Sequence, residues 1–256
     1  MEQMSDDWDN HWAGLSASAE LNPAQRFRHR MLAQLVGRRE ATTLLDIGSG
    51  QGDFLLRVAE RDAEIRLVGL ELSEVGATQT IEKVPRALVK QVDLTAPGAA
   101  DLLAGIDADV AVCCEVIEHL DDPEAFLRCA RTALSAGAVC FVTVPGGPRS
   151  AFDRLIGHRR HYSPAELAEL VERCGFVVED AFGAGFPFFN LYRLVVVARG
   201  RRLVDDIGGE GASGTLAARL AMRAFGVLLR FNIPRSRWGW QTVVVATVRP
   251  LETGAE

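Results

Sequence analysis

Lysine is nearly missing from this chain. Of its 28 basic residues only Lys83 and Lys90 are lysine, and no Gly-Lys-Ser/Thr follows a glycine turn, so a P-loop is excluded. Metal-type cysteine spacing is missing too, because Cys113, Cys114, Cys129, Cys140 and Cys174 form no C-x-x-C pair. Four of them fall in apolar contexts on expected strands or helices, which reads as buried thiols and not as a disulfide frame or zinc site. Long hydrophobic runs are absent as well. The longest, residues 186–198, has 13 positions and contains Arg193, too few to span a bilayer. Residues 1–8 are acidic and polar, unlike a signal peptide, and the expected location is the cytoplasm.

What is present suits a soluble globular protein. A length of 256 residues with 48% hydrophobic and 24% charged residues implies one domain with a sizeable insertion. The net charge of −6 argues against a nucleic-acid partner. Its distribution is uneven. Residues 183–240 carry nine arginines against Asp205, Asp206 and Glu210, a net of +6, so the remainder holds −12.

The most informative stretch is residues 44–52, Leu-Leu-Asp-Ile-Gly-Ser-Gly-Gln-Gly. A hydrophobic strand runs into Asp46, then into glycines at 48, 50 and 52, then into a helix from Asp53. Glycine lets the backbone approach a ligand without a Cβ in the way, and the helix that follows offers N–H groups to negative charge. The dinucleotide pattern G-x-G-x-x-G is not met, because its last glycine is replaced by Asp53. Asp46 at the strand end would repel a pyrophosphate and attract an ammonium group.

Strand-like and helical runs alternate along the rest, which implies βα units and a largely parallel sheet. Strands are expected at 42–47, 65–71, 87–92, 110–115, 138–144, 176–182 and 242–248. Helices are expected at 24–36, 53–61, 74–83, from Asp122-Pro123 to 134, and from the capping box Ser163-Pro164-Ala165-Glu166 to 174. This divides the chain into an N-terminal arm and covering helix (1–41), a core (42–182), a helical insertion or lid (183–240) and a final strand with tail (241–256). The insertion holds helical candidates at 188–202 and 215–230, the second with Arg219, Arg223 and Arg230 along one face and apolar residues over the rest. It is either a buried lid or a helix lying on a membrane surface, so peripheral membrane contact through 187–230 is an expectation.

Asp-x-Gly-x-Gly-x-Gly, with an acid at Glu71 closing the second strand, resembles the first motifs of the class I S-adenosylmethionine (SAM) dependent methyltransferases over residues 42–182 plus the last strand. The resemblance implies an α/β fold, a doubly wound seven-stranded sheet of order 3-2-1-4-5-7-6 with an antiparallel last strand. It implies SAM as cofactor, with Asp46 on the ammonium group and Gly48, Ser49, Gly50 and Gly52 giving backbone contacts. Glu71 would grip the ribose hydroxyls with Leu72 beside it, Asp93 and Leu94 would hold adenine, and Cys114 and Glu115 would border the methionine moiety. Asp93 as a plain turn residue is the alternative. Arg28 or Arg30 would meet the carboxylate or lie solvated, and Trp8 and Trp12 would close over the cofactor or pack on the core.

Glu115-Val-Ile-Glu118-His119 is similar to the Glu-x-x-Glu-His segment of quinone-biosynthesis O-methyltransferases and of small-RNA 2′-O-methyltransferases. There the two acids and the histidine join a later histidine around a divalent ion. Here Glu115, Glu118 and His119 would be that metal set, with Mg2+ as the ion and His158 or His161 as the later ligand. The same segment is also similar to enzymes without metal, in which the histidine is a base or borders the acceptor pocket. Arg159, Arg160 and Tyr162 would line the same mouth. The resulting reading is a methyltransferase acting on a small-molecule acceptor, hydrophobic or anionic or both, at a hydroxyl oxygen, with His119, Glu115, His158 and His161 as the catalytic candidates. A C- or N-methyltransferase, an RNA 2′-O-methyltransferase (against which the −12 outside the insertion argues) and a non-catalytic SAM-binding partner protein are the rivals. Oligomeric state is left open by the sequence.

Overall fold

The computed structural model describes Trp8, Asp9, Trp12, residues 22–199 and residues 216–249. The first helix, α1 (Pro23–Val36), is started by Asn22, whose side chain accepts the Ala24 N–H at 3.0 Å, with proline at the first helical position. A seven-stranded sheet follows: β1 (Thr43–Ile47), β2 (Arg66–Glu71), β3 (Leu88–Gln91), β4 (Ala108–Cys114), β5 (Leu134–Pro145), β6 (Phe176–Ala184) and β7 (Gln241–Val248). Its order is β3-β2-β1-β4-β5-β7-β6, the expected one. The pairs among β1 to β5 are parallel, and β7 runs antiparallel to both β5 and β6. Strand order therefore reverses between β1 and β4, and ligands of open α/β sheets bind beyond the strand ends at such a switch point.

Between the strands lie α2 (Asp53–Ala59), α3 (Glu74–Lys83), α4 (Pro123–Arg131), α5 (Ala151–Leu155) and α6 (Pro164–Arg173). Central strands are buried on both faces, so neighbouring residues feed opposite cores. Leu45, Ile47 and Val68 join Phe126, Leu127 and Leu167 of α4 and α6. Leu44, Leu67 and Phe141 join Leu32 of α1 and Phe54 and Leu55 of α2. The link from β6 to β7 contains α7 (Phe188–Arg199) and α8 (Leu216–Leu228). Phe27 of α1, Phe189 of α7 and Leu229 just after α8 form a third, smaller cluster that seats this pair on the sheet.

Three local expectations differ from what is found. β5 starts at Leu134, not at 138, because Leu134 pairs with Ala108 before a register shift, and Gly137 turns the chain at φ 77°. α4 consequently stops at Arg131. α5 was not expected at all, although Ser150 and Asp153 form a reciprocal capping box around its start. The expected helices at 188–202 and 215–230 run into residues 200–215, which lie outside the described residues, as do the remaining arm positions.

Candidate active site

The loop after β1 is fixed before any ligand arrives. Gly48 and Ser49 donate their N–H groups to the Leu70 carbonyl at 2.8 and 3.0 Å, which pins the loop to β2. Gly48 has φ 78°, and a Cβ there would lie 2.5 Å from a methyl of Val116. At Gly50, φ 55°, a Cβ would meet the Trp12 ring at 2.7 Å. Both positions thus require glycine for space as well as for backbone conformation.

Asp46, next to the last residue of β1, is almost fully buried. Burial, and then the nearby Glu71 charge, push its carboxyl well above the usual range. Glu71 ends β2 with its oxygens engaged by the backbone: Gly50 N–H donates to Oε2 at 2.7 Å and Ser73 N–H to Oε1 at 3.0 Å. Burial raises the Glu71 carboxyl, and these donors together with the Trp12 indole oppose the rise. Leu72 is exposed beside it. The aromatic ring of Trp12 rests between Gly50 and Gly76, so a planar group fits that Cβ-free face. Asp9 of the same arm accepts from Val75 N–H at 3.3 Å and from the Ser73 hydroxyl. A buried acid short of a cation, an acid held to a glycine loop and a flat face between two glycines together fit the ammonium, ribose and base of SAM.

Asp93 lies further along this edge, exposed, with Oδ1 accepting from both the N–H and the hydroxyl of Thr95 at 2.8 and 2.6 Å, while Leu94 is buried. The two arginine candidates separate. Arg28 Nη1 is 3.5 Å from Glu115 Oε2, and although burial disfavours its charge, Glu115 and Cys114 keep its pKa raised. Arg30 points instead toward other cations: burial, followed by Arg230, Arg57 and Arg26, lowers its pKa.

Beyond β4 the chain makes a tight turn. Glu115 adopts φ 59°, a conformation uncommon for a non-glycine residue. Its Oε1 accepts from Gln241 Nε2 at 2.7 Å, and burial raises its pKa against the pull of Arg28. The turn then buries Glu118 and His119 in a short 3-10 segment. Glu118 is wholly buried, and neither carboxylate oxygen has a hydrogen-bond partner. Burial first, and Glu115 second, push its pKa well up.

The ligand atoms of Glu118, His119 and His158 lie within 4.8 Å of one another. The expected trio of Glu115, Glu118 and His119 is therefore not the one brought together: Glu115 is turned to Arg28 and Gln241, and His158 stands with the other two. His119 and His158 rings meet edge to face at 4.6 Å, and Trp8 meets His119 at 4.8 Å. His161 Nδ1 lies 3.1 Å from the Gly147 carbonyl, and His161 Nε2 lies 3.1 Å from His158 Nδ1. Burial lowers both pKa values, that of His158 to about 2. For two neutral rings a carbonyl accepts only from an N–H, so His161 donates from Nδ1 and accepts at Nε2. His158 then carries its proton on Nδ1 and its lone pair on Nε2. Arg159 braces this turn, its backbone N–H donating to the Glu118 carbonyl at 2.7 Å and its guanidinium to the His119 carbonyl and Asp121. Arg160 reaches the Asp121 carbonyl at 3.3 Å, and Tyr162 is buried.

Asp153, in the unexpected α5, escaped sequence reasoning. It is fully buried, holds Ser150 N–H and hydroxyl at 2.7 Å each, and receives both Arg193 nitrogens at 2.9 and 2.8 Å. Its backbone carbonyl accepts the His158 N–H at 2.9 Å. The signal was there, in Ser150-Ala-Phe-Asp153, but its arginine partner lies forty positions away. Burial pushes the Asp153 carboxyl up, and Arg193 with Ser150 pull it down to about 2. A depressed folded pKa adds stability above the unfolded carboxylate value and loses it as pH falls toward 2. Arg193→Met strands this carboxylate. We expect about 3–5 kcal/mol lower unfolding free energy at pH 7, read by urea denaturation, with the deficit shrinking below pH 4.

The opposite sign applies to Asp46. Its raised folded pKa means that the native state binds more protons than the unfolded chain above about pH 4. Stability therefore falls as pH rises toward that folded pKa, by up to about 1.4 kcal/mol per pH unit. Asp46→Asn is expected to flatten this slope and stabilise the protein at pH 8, while lowering SAM affinity at least about tenfold by removing a charge partner. Denaturation at pH 5 to 8 and titration calorimetry check the two halves.

A doubly wound sheet with a glycine loop at its switch point and acids closing β1 and β2 defines a nucleoside-cofactor enzyme of the methyltransferase kind. A family model described as Methyltransferase domain matches residues 18–181. The chain belongs to that family and is a SAM-dependent methyltransferase. It is 26% identical over 176 residues to the ubiquinone biosynthesis O-methyltransferase of Aeromonas salmonicida, covering 62% of this chain and 72% of that one. A Mycolicibacterium smegmatis relative that carries a methyltransferase name is 32% identical over 165 residues, which is 61% of this chain and only 60% of the relative. Among solved structures, Haemonchus contortus phosphoethanolamine N-methyltransferase 2, in complex with SAM, superposes with a TM-score of 0.58 at 15% identity, covering 98% of this chain and 62% of its own. The last likeness speaks to the fold alone.

Proposed function

We propose that this enzyme methylates a hydroxyl oxygen of a small acceptor that is hydrophobic, anionic or both. The observation that carries the reading is the meeting of Glu118, His119 and His158 just past the end of β4, the strand that shares the switch point with the glycine loop. Bound SAM supplies an activated sulfonium methyl group, so the protein's part is alignment and removal of the hydroxyl proton. Asp46 and Glu71 hold the amino and ribose groups, and Arg28, freed from Glu115, meets the carboxylate. His119 takes the acceptor proton. His158, kept neutral by burial and packed edge to face on His119, offers its Nε2 lone pair to the protonated His119, and Arg159 holds the turn in place.

Glu118 also supports a second reading. Two buried carboxylate oxygens without partners, beside two imidazoles, fit a divalent cation. One carboxylate and two imidazoles suit zinc, iron or manganese better than Mg2+, which prefers oxygen ligands. Such an ion, held by Glu118, His119 and His158, would lower the pKa of a hydroxyl placed against it. The other histidine-rich set, Asp153, His158 and His161, is a poor match because Arg193 already neutralises Asp153.

The test is transfer of labelled methyl from SAM into host extract, with organic and aqueous phases counted separately and EDTA present or absent. Label in the organic phase is expected, and label confined to neutral aqueous products would contradict the proposed acceptor class. Loss with EDTA, restored by zinc or manganese but not magnesium, selects the metal reading, and indifference selects His119 as a free base.

A further inference from the structure

The two helices between β6 and β7 are turned the wrong way for a water-facing cover. On α7 large apolar residues are exposed at i, i+3 and i+4, namely Leu191, Leu194 and Val195, with Ala198 and Arg199 exposed at its end. On α8 and just beyond it, Leu220, Val227 and Phe231 are exposed, and the most exposed of them, Phe231, reaches 68%. Exposed helix stripes normally carry charge. The inner faces are already used: Phe189 packs on Phe27 at 5.3 Å, Tyr192 meets Phe225 at 5.4 Å, and Arg193 is committed to Asp153. The outward residues therefore have no role in holding the helices to the core.

Arginine is interleaved with these apolar side chains. Arg223, Arg230 and Arg237 are exposed along the same segment, while Arg235 is paired with Asp180, and Arg237 lies over the ring of Trp238, itself 56% exposed. Arg30 of α1 extends the positive field, close enough to Arg230 to feel its charge. Arginine and apolar side chains thus share one outward surface. The rest of the chain carries a net charge of −12, opposite in sign to this segment. Among the described residues, no helix is long and apolar enough to cross a membrane.

From this geometry we infer that the outer surface of α7, α8 and the loop through Trp238 docks on an anionic lipid bilayer. Apolar side chains enter the headgroup boundary, arginines pair with lipid phosphates, and the aromatic residues sit at the interface. Membrane and second copy of the chain differ in what they demand of the charges. A symmetric self-contact would set these arginines against one another, whereas an anionic surface satisfies them all at once. The inference concerns the outer surface only and stands whichever atom of the acceptor is methylated.

The experiment is sedimentation of the full chain with vesicles of phosphatidylcholine alone or mixed with phosphatidylglycerol. Binding to the anionic vesicles is expected, at least about tenfold tighter than to neutral ones and weakened by salt. Arg223→Glu with Arg230→Glu, and separately Leu194→Glu with Val227→Glu, should each lower it about tenfold or more, with circular dichroism and SAM binding unchanged as evidence of folding. Equal sedimentation with neutral and anionic vesicles, none with either, or undiminished binding by both variants would overturn the inference. So would a concentration-dependent dimer in light scattering that both variants abolish, because the surface would then belong to a second copy.

Discussion

Glu71→Ala is expected to lower SAM affinity by about two orders of magnitude, as titration calorimetry would read it. Glu71 stands to give the ribose hydroxyls charge-assisted hydrogen bonds, each contributing about 1.5–3 kcal/mol. The same carboxylate secures Gly50 N–H and Ser73 N–H, so its loss also leaves two buried donors unpaired and loosens the loop that carries the cofactor. Glu71→Gln keeps one acceptor oxygen and should fall between. An affinity within threefold of wild type for the alanine variant would place the ribose elsewhere.

His119→Ala is expected to lower kcat by about 10²–10⁴, the usual contribution of a positioned acid–base group, with SAM affinity held within about twofold. The separation follows from position. His119 lies past the end of β4 among Glu118, His158 and Trp8, whereas the cofactor-side acids close β1 and β2. If SAM binding fell in parallel with turnover, His119 would be a support of the cofactor pocket and not a group that acts on the acceptor.

Much of this was legible in the chain because its signals are local. The glycines at 48, 50 and 52, and acids at the ends of two strands, are short-range patterns; alternating strands and helices implied a largely parallel sheet, and the resemblance these motifs carry implied the strand order found. The misses are long-range. Nothing near Asp153 announces Arg193, forty residues later, and without that pair the five-residue α5 reads as loop. The resemblance of Glu115-x-x-Glu118-His119 to a metal-binding segment implied three ligands together, beside a metal-free alternative. Yet the left-handed conformation of Glu115 sends its carboxylate to Gln241 and Arg28, contacts 126 and 87 residues apart in sequence. Likewise, the helical pattern of 215–230 separates arginine from leucine on paper, but which stripe is buried depends on where α1 lies. Packing of distant segments decides each of these, and no window along the sequence contains it.

The central claim, that this edge of the sheet moves a methyl group to oxygen, is tested most directly by the carbon-13 spectrum of the product formed from SAM labelled at its methyl carbon. A methoxy resonance, present with wild type and strongly reduced with His119→Ala, is the predicted result. An N-methyl or C-methyl resonance from the wild-type enzyme would contradict it.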